Sequence, residues 1–276
     1  MHNQIPRRVE AFIGETVHVA RKICGDHFLS LYLFGGLVYG EFKETSDVDL
    51  LFILDEECSE ETKTKLEKAL ETVEIKDGFL KTDKENALFY IFAYRTALFK
   101  SHFVVRLKSL KEMNLKRLFI EGRGFDLRFG MTLFPLGPSR LVIRNVLAGG
   151  IIVYGDDVIN TIAMPKPSPS DFNKSLVMSL FMSVFGALFS FMSRSGTRFS
   201  LEAFKWYIIN AHSFLIDKPS NVKLAESFIR SRVGQIIFLS RFSRLRKDYS
   251  RDLVFAVFCP LCIIYLHFKL LRTITR

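Results

Sequence analysis

The chain has 276 residues, which is enough for one large domain or two modest ones, and 49% of them are aliphatic, aromatic or sulfur-containing. This composition excludes a wholly disordered chain, because enough apolar surface can be buried to offset the entropy of ordering. The net charge is +10 and is distributed unevenly: residues 44–85 carry a net charge of −8, and residues 221–276 one of +8. The basic C-terminal part therefore favours an anionic partner.

The N-terminal half alternates between helix and strand patterns. Apolar residues recur on one helical face over residues 6–24. Short apolar runs at 28–34 and 48–54 then predict buried strands, and residues 59–73 predict a charged helix that Ser59 caps. Further predicted elements are strands within 87–107, at 125–134 and at 151–154, and a short helix at 140–147.

A proline-rich segment predicts the domain boundary. Residues 165–169 hold three of the eight prolines, which interrupt both helix and sheet pairing. Only long helical patterns follow it. The sequence therefore predicts an α/β (α+β) domain with a mixed sheet at residues 1–164, a linker at 165–170, and an all-α domain at 171–276.

Two carboxylates and a glycine pair are the features that point to chemistry. Asp47 and Asp49 flank the start of the second predicted strand, and residues two apart on a strand share a face. Neighbouring carboxylates repel each other unless a cation lies between them, and oxygen ligands favour Mg²⁺ or Mn²⁺. The turn at Gly35 and Gly36 leaves backbone N–H groups open to a phosphate. These ingredients indicate phosphoryl or nucleotidyl transfer.

The order and spacing of these residues resemble a known family. Leu33-Phe34-Gly35-Gly36, ten further residues, and then Asp47-Val48-Asp49-Leu50 are similar to the motif of the DNA polymerase β-type nucleotidyltransferase superfamily. Tyr39-Gly40 and Ser46-Asp47 resemble the small "minimal" members of that superfamily, although Gly36 stands where many of them have Ser. The resemblance is strong over residues 28–54 and holds in outline to about residue 157.

The resemblance implies an enzyme that moves a nucleoside monophosphate from a nucleoside triphosphate (NTP) to a hydroxyl group and releases pyrophosphate. It also implies that Gly35, Gly36 and Ser46 bind the nucleotide, and that Asp47 and Asp49 hold Mg²⁺ or Mn²⁺. The acceptor stays open among a protein hydroxyl, a small molecule and an RNA end.

A third metal-binding carboxylate is expected on a later strand. Asp126 is the first choice, with roles in metal binding and catalysis. The rival strand at 101–106 offers His102 and no acid. If His102 takes the third position, a catalytically degenerate relative that binds nucleotide or protein becomes the alternative function.

Two uncharged stretches, at 175–193 and 253–268, are long enough to raise the question of a membrane. Serines interrupt the first, and Pro260 and His267 interrupt the second, which favours buried bundle helices and argues against a membrane partner. A membrane-associated protein is the remaining alternative. The N-terminal residues are polar and basic and do not resemble a secretory signal, so the expected location is cytoplasmic.

Overall fold

The apolar runs of the N-terminal half form a mixed sheet in the computed structural model, which describes residues 5–39, 48–79, 101–112, 137–164, 166–193, 196–234 and 236–274. Its strands within these residues are β1 (Phe28–Phe34), β2 (Asp49–Leu54), β3 (His102–Arg106) and β4 (Ile151–Gly155). They lie in the order β3-β2-β1-β4. Strand β1 is antiparallel to β2 and β4, whereas β2 and β3 are parallel, so the predicted mixed sheet is confirmed.

Two helices pack on one face of this sheet. Helix α1 (Arg7–Cys24) and helix α2 (Glu60–Lys76) contact each other, and Ser59 begins α2 by accepting a hydrogen bond of 3.0 Å from the Thr62 N–H. Their apolar sides meet alternate residues of the strands, as the helical and strand periods require. The resulting core includes Val9, Phe12, Leu33, Leu50, Phe52, Leu66 and Leu70.

Most of the predicted N-terminal elements are confirmed, and one cannot be compared. The predicted strand at 28–34 and the observed β1 have identical bounds, and the other confirmed elements agree to within a few residues. A short helix, α3 (Leu107–Lys111), directly follows β3. The predicted strand at 125–134 lies outside the described residues, as does the part of 87–107 that precedes residue 101.

A buried tyrosine ties β1 to the segment that follows β4. The Tyr32 hydroxyl donates a hydrogen bond of 2.9 Å to the carboxylate of Asp157 and accepts one of 3.1 Å from the Ile159 N–H. Burial raises the pKa of this hydroxyl, so it stays protonated and continues to donate. These bonds fix the end of the α/β unit to its central strand.

The rest of the chain is helical and forms a second compact unit. The first unit contains residues 1–134 and 146–164, and the second contains residues 135–145 and 165–276. Helix α4 (Ser139–Ala148) contributes to both units. The other described helices of the second unit are α5 (Pro169–Met192), α6 (Gly196–Ile216), α7 (Val222–Val233), α8 (Ile237–Lys247) and α9 (Leu253–Ile274).

Two details of this division differ from the predicted domains. Helix α5 already begins at Pro169, inside the predicted linker, because Ser168 and Asp171 form a capping box and proline suits the first turn of a helix. Residues 135–145 belong to the helical unit, and the side chain of Asn145 forms hydrogen bonds with residues of that unit. Its amide donates to Asn210 at 3.2 Å, and its carbonyl oxygen accepts from the Ser220 N–H at 2.9 Å.

A pH-dependent ion pair joins the residue before β1 to the residue after β2. His27 Nδ1 lies 2.7 Å from a carboxylate oxygen of Asp55. The hydrogen bond to Asp55 and the charge of that group raise the pKa of His27 above its ordinary value of 6.5. The contact therefore stabilises the fold fully below pH 6.5, and this stabilisation is lost as the pH rises through the folded-state pKa.

We predict that His27→Gln lowers the free energy of unfolding more at pH 6 than at pH 9. Urea unfolding of both proteins at the two pH values measures this difference. An equal loss at both pH values, or a larger one at pH 9, would contradict the assigned pair.

Candidate active site

The turn after β1 brings bare backbone against a carboxylate. Gly35 follows the last residue of β1 and has a φ of +79°, a conformation that residues with a Cβ rarely adopt. A Cβ at this position would lie 1.9 Å from Oδ2 of Asp49, far inside any permitted contact. Only glycine therefore fits here, and the Asp49 carboxylate lies directly over its Cα.

Strand pairing explains this proximity. Asp49 is the first residue of β2 and pairs with Phe34, the last residue of β1. Gly35 and Asp49 therefore meet where the chain leaves one strand and where it enters the next. Gly35, Gly36 and Asp49 are all partly exposed, so a ligand can reach them.

Strand alternation determines the face to which Asp49 points. Leu50 is fully buried in the core under α1 and α2, and its neighbour Asp49 points to the opposite face of the sheet. In the parallel pairing of β2 with β3, Leu50 lies beside His102. The side chain of His102 accordingly points to the helix side, away from the face that Asp49 occupies. The alternative in which His102 takes the third metal-binding position is not supported by this geometry.

Sequence reasoning missed a buried polar cluster that anchors β3. Nδ1 of His102 lies 2.7 Å from Oε1 of Glu74, and the Ser101 hydroxyl donates to the same oxygen at 2.6 Å. A signal was present in the sequence, because Glu74 follows Leu70 by four residues and so lies on the buried side of α2. The cluster joins α2 to β3 and so helps to hold the strand next to β2.

The other predicted site residues cannot be compared with the structure. Ser46, Asp47 and Asp126 all lie outside the described residues. In the part of the chain that is described, no group of three or more His, Cys, Asp or Glu residues could hold a metal ion. Asp49 by itself supplies the oxygen donors that Mg²⁺ and Mn²⁺ prefer, directly beside the backbone of Gly35. Of the three predicted metal ligands, Asp49 is the one that lies within the described residues.

Part of this chain, including the glycine turn and Asp49, is similar to known nucleotidyltransferases. Residues 19–116 match a family model described as a nucleotidyltransferase domain. The spectinomycin adenyltransferase AAD(9) from Enterococcus faecialis, solved with ATP and spectinomycin, is similar to this chain with a TM-score of 0.56 and 12% identity. The match covers 95% of this chain and 98% of that one, and at this identity it shows a shared fold. Among curated proteins, none matches this chain significantly.

We predict that Gly35→Ala destabilises the protein more than Gly25→Ala does. Both glycines have positive φ, but a Cβ at residue 25 would meet nothing within 4 Å, whereas one at residue 35 would displace the carboxylate of Asp49. A Cβ at positive φ costs on the order of 1–3 kcal/mol at either position. Thermal unfolding of the two variants measures the excess, and equal losses would show that the contact with Asp49 is absent.

Three observations lead to one assignment. The family model spans β1, the glycine turn, β2 and β3. The sheet is mixed, and the chain shares its fold with the solved structure of AAD(9). Residues 19–116 are therefore a nucleotidyltransferase domain of the DNA polymerase β type, and the predicted class of enzyme, a transferase, is confirmed.

Proposed function

We propose that this protein transfers AMP from ATP to a hydroxyl group of a small molecule, in a reaction that requires Mg²⁺. Nucleotidyl transfer from an NTP follows from the domain at residues 19–116. The choice of nucleotide, metal and acceptor is the proposal. The observation that carries it is the backbone of Gly35 held against the Asp49 carboxylate.

The proposed reaction is a single displacement at phosphorus. The hydroxyl oxygen of the acceptor attacks the α-phosphorus of ATP and forms a new phosphoester bond. The bond between the α-phosphorus and the oxygen that bridges to the β-phosphate breaks, and pyrophosphate leaves. The hydroxyl proton passes to a carboxylate, which is the role proposed for Asp126.

Each predicted site residue has a role in this reaction. Gly35 and Gly36 offer backbone N–H groups to the β- and γ-phosphates, and Ser46 contributes to the same site. Asp47 and Asp49 hold Mg²⁺. When bound, Mg²⁺ neutralises phosphate charge and so favours departure of pyrophosphate. Asp49 is partly exposed at the start of β2, on the sheet face opposite the core.

The likeness to AAD(9) supports ATP as the donor and a small molecule as the acceptor. That structure contains ATP and spectinomycin, and the likeness extends over 95% of this chain, so it includes residues of both units. A shared fold across both units favours an acceptor of the same class, a small molecule with a hydroxyl group.

One observation favours a second candidate, a relative that binds nucleotide without turnover. Strand β3 lies next to β2 and reads His102-Phe-Val-Val-Arg106, with no carboxylate. If no other strand supplies the third acid, ATP binds and pyrophosphate is not released. Measurement of pyrophosphate release over a panel of hydroxylated small molecules separates the two candidates.

We predict that Asp47→Asn and Asp49→Asn each abolish the stabilisation of the protein by Mg²⁺·ATP. A ligand at about one hundred times its Kd stabilises the native state by about 2.7 kcal/mol. For a chain of this size that raises the Tm by about 5 °C or more. Loss of a metal ligand also removes several kcal/mol of transition-state stabilisation, which lowers turnover by about a hundredfold or more.

The matched control is Asp26→Asn, because Asp26 is exposed and lies beyond the opposite end of β1 from Gly35. Seven strand residues separate the two positions, a distance of about 20 Å. This variant loses the same charge and should keep the full Tm shift. If Asp49→Asn keeps the wild-type shift with Mg²⁺·ATP, the proposed site is wrong.

A further inference from the structure

Helix α5 buries small side chains and exposes large apolar ones, which is the reverse of the usual pattern in a water-soluble protein. Its buried side carries mainly small residues, among them Ser175, Ser179, Ser183, Gly186 and Ser190. A Cβ at residue 186 would lie 2.7 Å from the backbone nitrogen of Ser200, so α5 and α6 approach each other closely there. Small residues on the packed side leave the large apolar ones on the other side, which is the arrangement that helices in lipid use.

The large apolar side chains of α5 form an exposed stripe. Val177, Phe181, Val184, Leu188 and Phe191 follow one another at steps of four and three residues, so they share one helical face. Leu188 is 64% exposed and Phe191 is 63% exposed. Of the most apolar part of α5, only 33% is buried, although the sequence favoured a buried bundle helix.

Helix α9 also exposes a stripe of large apolar side chains, and it packs against α5. Its inner side is buried through Phe255, Cys259 and Ile263, whereas Phe258, Leu261, Tyr265 and Phe268 are all more than 40% exposed. Among the described residues, α5 and α9 are long and apolar enough to cross a membrane by length and composition, with mean hydropathies of 1.9 and 2.1. The two stripes belong to one unit, and we call them together the apolar face of α5 and α9.

A basic helix lies beside the α9 part of this face. Helix α8 carries Arg241, Arg244, Arg246 and Lys247, and it borders an apolar groove of about 380 Å³ against α9. Ile237, at the start of α8, projects into solvent with 88% of its surface exposed. Asp252 offsets part of this charge, since it lies 2.6 Å from Arg241 and 3.6 Å from Arg244, yet residues 221–276 keep a net charge of +8.

The charge decides which partner fits. A second copy of the chain docked on this face would bring two strongly basic segments together, and like charges oppose such a contact. An anionic lipid surface attracts the same segment, with about 1 kcal/mol for each Lys or Arg near the surface, and its acyl region accepts exposed Phe and Leu side chains. A unit that exposes apolar stripes on two helices and carries a basic helix beside one of them fits an anionic bilayer.

The packing also decides between lying on the bilayer and crossing it. Helix α6 packs along α5 within the same unit and carries the Glu202–Lys205 ion pair together with Arg198. A membrane-crossing α5 would carry these charged groups into the hydrocarbon, which is unfavourable. The apolar face can enter one leaflet while α6 stays on the aqueous side.

We propose that the apolar face of α5 and α9 docks this protein on the surface of a bilayer that contains anionic lipid, with α8 against the headgroups. This inference does not depend on the nucleotide site.

Co-sedimentation of the full chain with vesicles tests the proposal. We expect binding to vesicles of phosphatidylcholine with 30% phosphatidylglycerol, weak binding to phosphatidylcholine alone, and a decrease with added salt. Leu188→Glu and Phe258→Glu should each weaken binding at least about tenfold. The matched control is Ile75→Glu, which changes an apolar residue of α2 that is 44% exposed and should bind as the wild type does.

Three outcomes would overturn the proposal. The first is a folded wild type, judged by circular dichroism, that stays in the supernatant with anionic vesicles. The second is a stable dimer in size-exclusion chromatography that Leu188→Glu dissociates while vesicles are not bound, since a second copy would then cover the face. The third is an equal loss of binding in Ile75→Glu and Leu188→Glu, with the variants folded.

Discussion

The pairing of Phe34 with Asp49 is the constraint on which the candidate site depends. It places the end of β1 beside the start of β2, so that Gly35 and the Asp49 carboxylate occupy the same small space. Any residue with a Cβ would force the carboxylate away. The core under α1 and α2 supports the pairing, because Leu33 and Leu50, the next pair in register, are both fully buried. Burial of Leu33 and Leu50 on one face of the sheet thus fixes the register that positions the Asp49 carboxylate on the other face.

Much of the fold could be predicted where local periodicity and burial agree. The apolar run at 28–34 is a strand because it is too short for a buried helix, and Ser59 caps α2 as expected. Proline composition at 165–169 was a poorer guide to the linker, because Pro169 is compatible with the first turn of α5. Which side of α5 is buried could not be predicted, since its small residues pack inward and its large ones point outward.

Only part of the candidate site could be predicted from the sequence. The order of Gly35, Gly36 and Asp49 indicated a nucleotide site because each residue type has a local reason to be there, and the family model covers all three. The side to which His102 points depends on its register with Leu50, a long-range pairing that no local pattern contains. Glu74 was likewise visible as an acid on an apolar helix face, but its partners on β3 were not.

A crystal structure with Mn²⁺ and a non-hydrolysable ATP analogue would show whether Asp49 and the glycine turn form the nucleotide site. We expect an anomalous Mn²⁺ peak in contact with the Asp49 carboxylate and the triphosphate next to the backbone of Gly35 and Gly36. The position of Asp126 in the same map would show whether it completes the metal site. A triphosphate bound elsewhere, or Mn²⁺ held without Asp49, would show that the nucleotide site lies in another part of the protein.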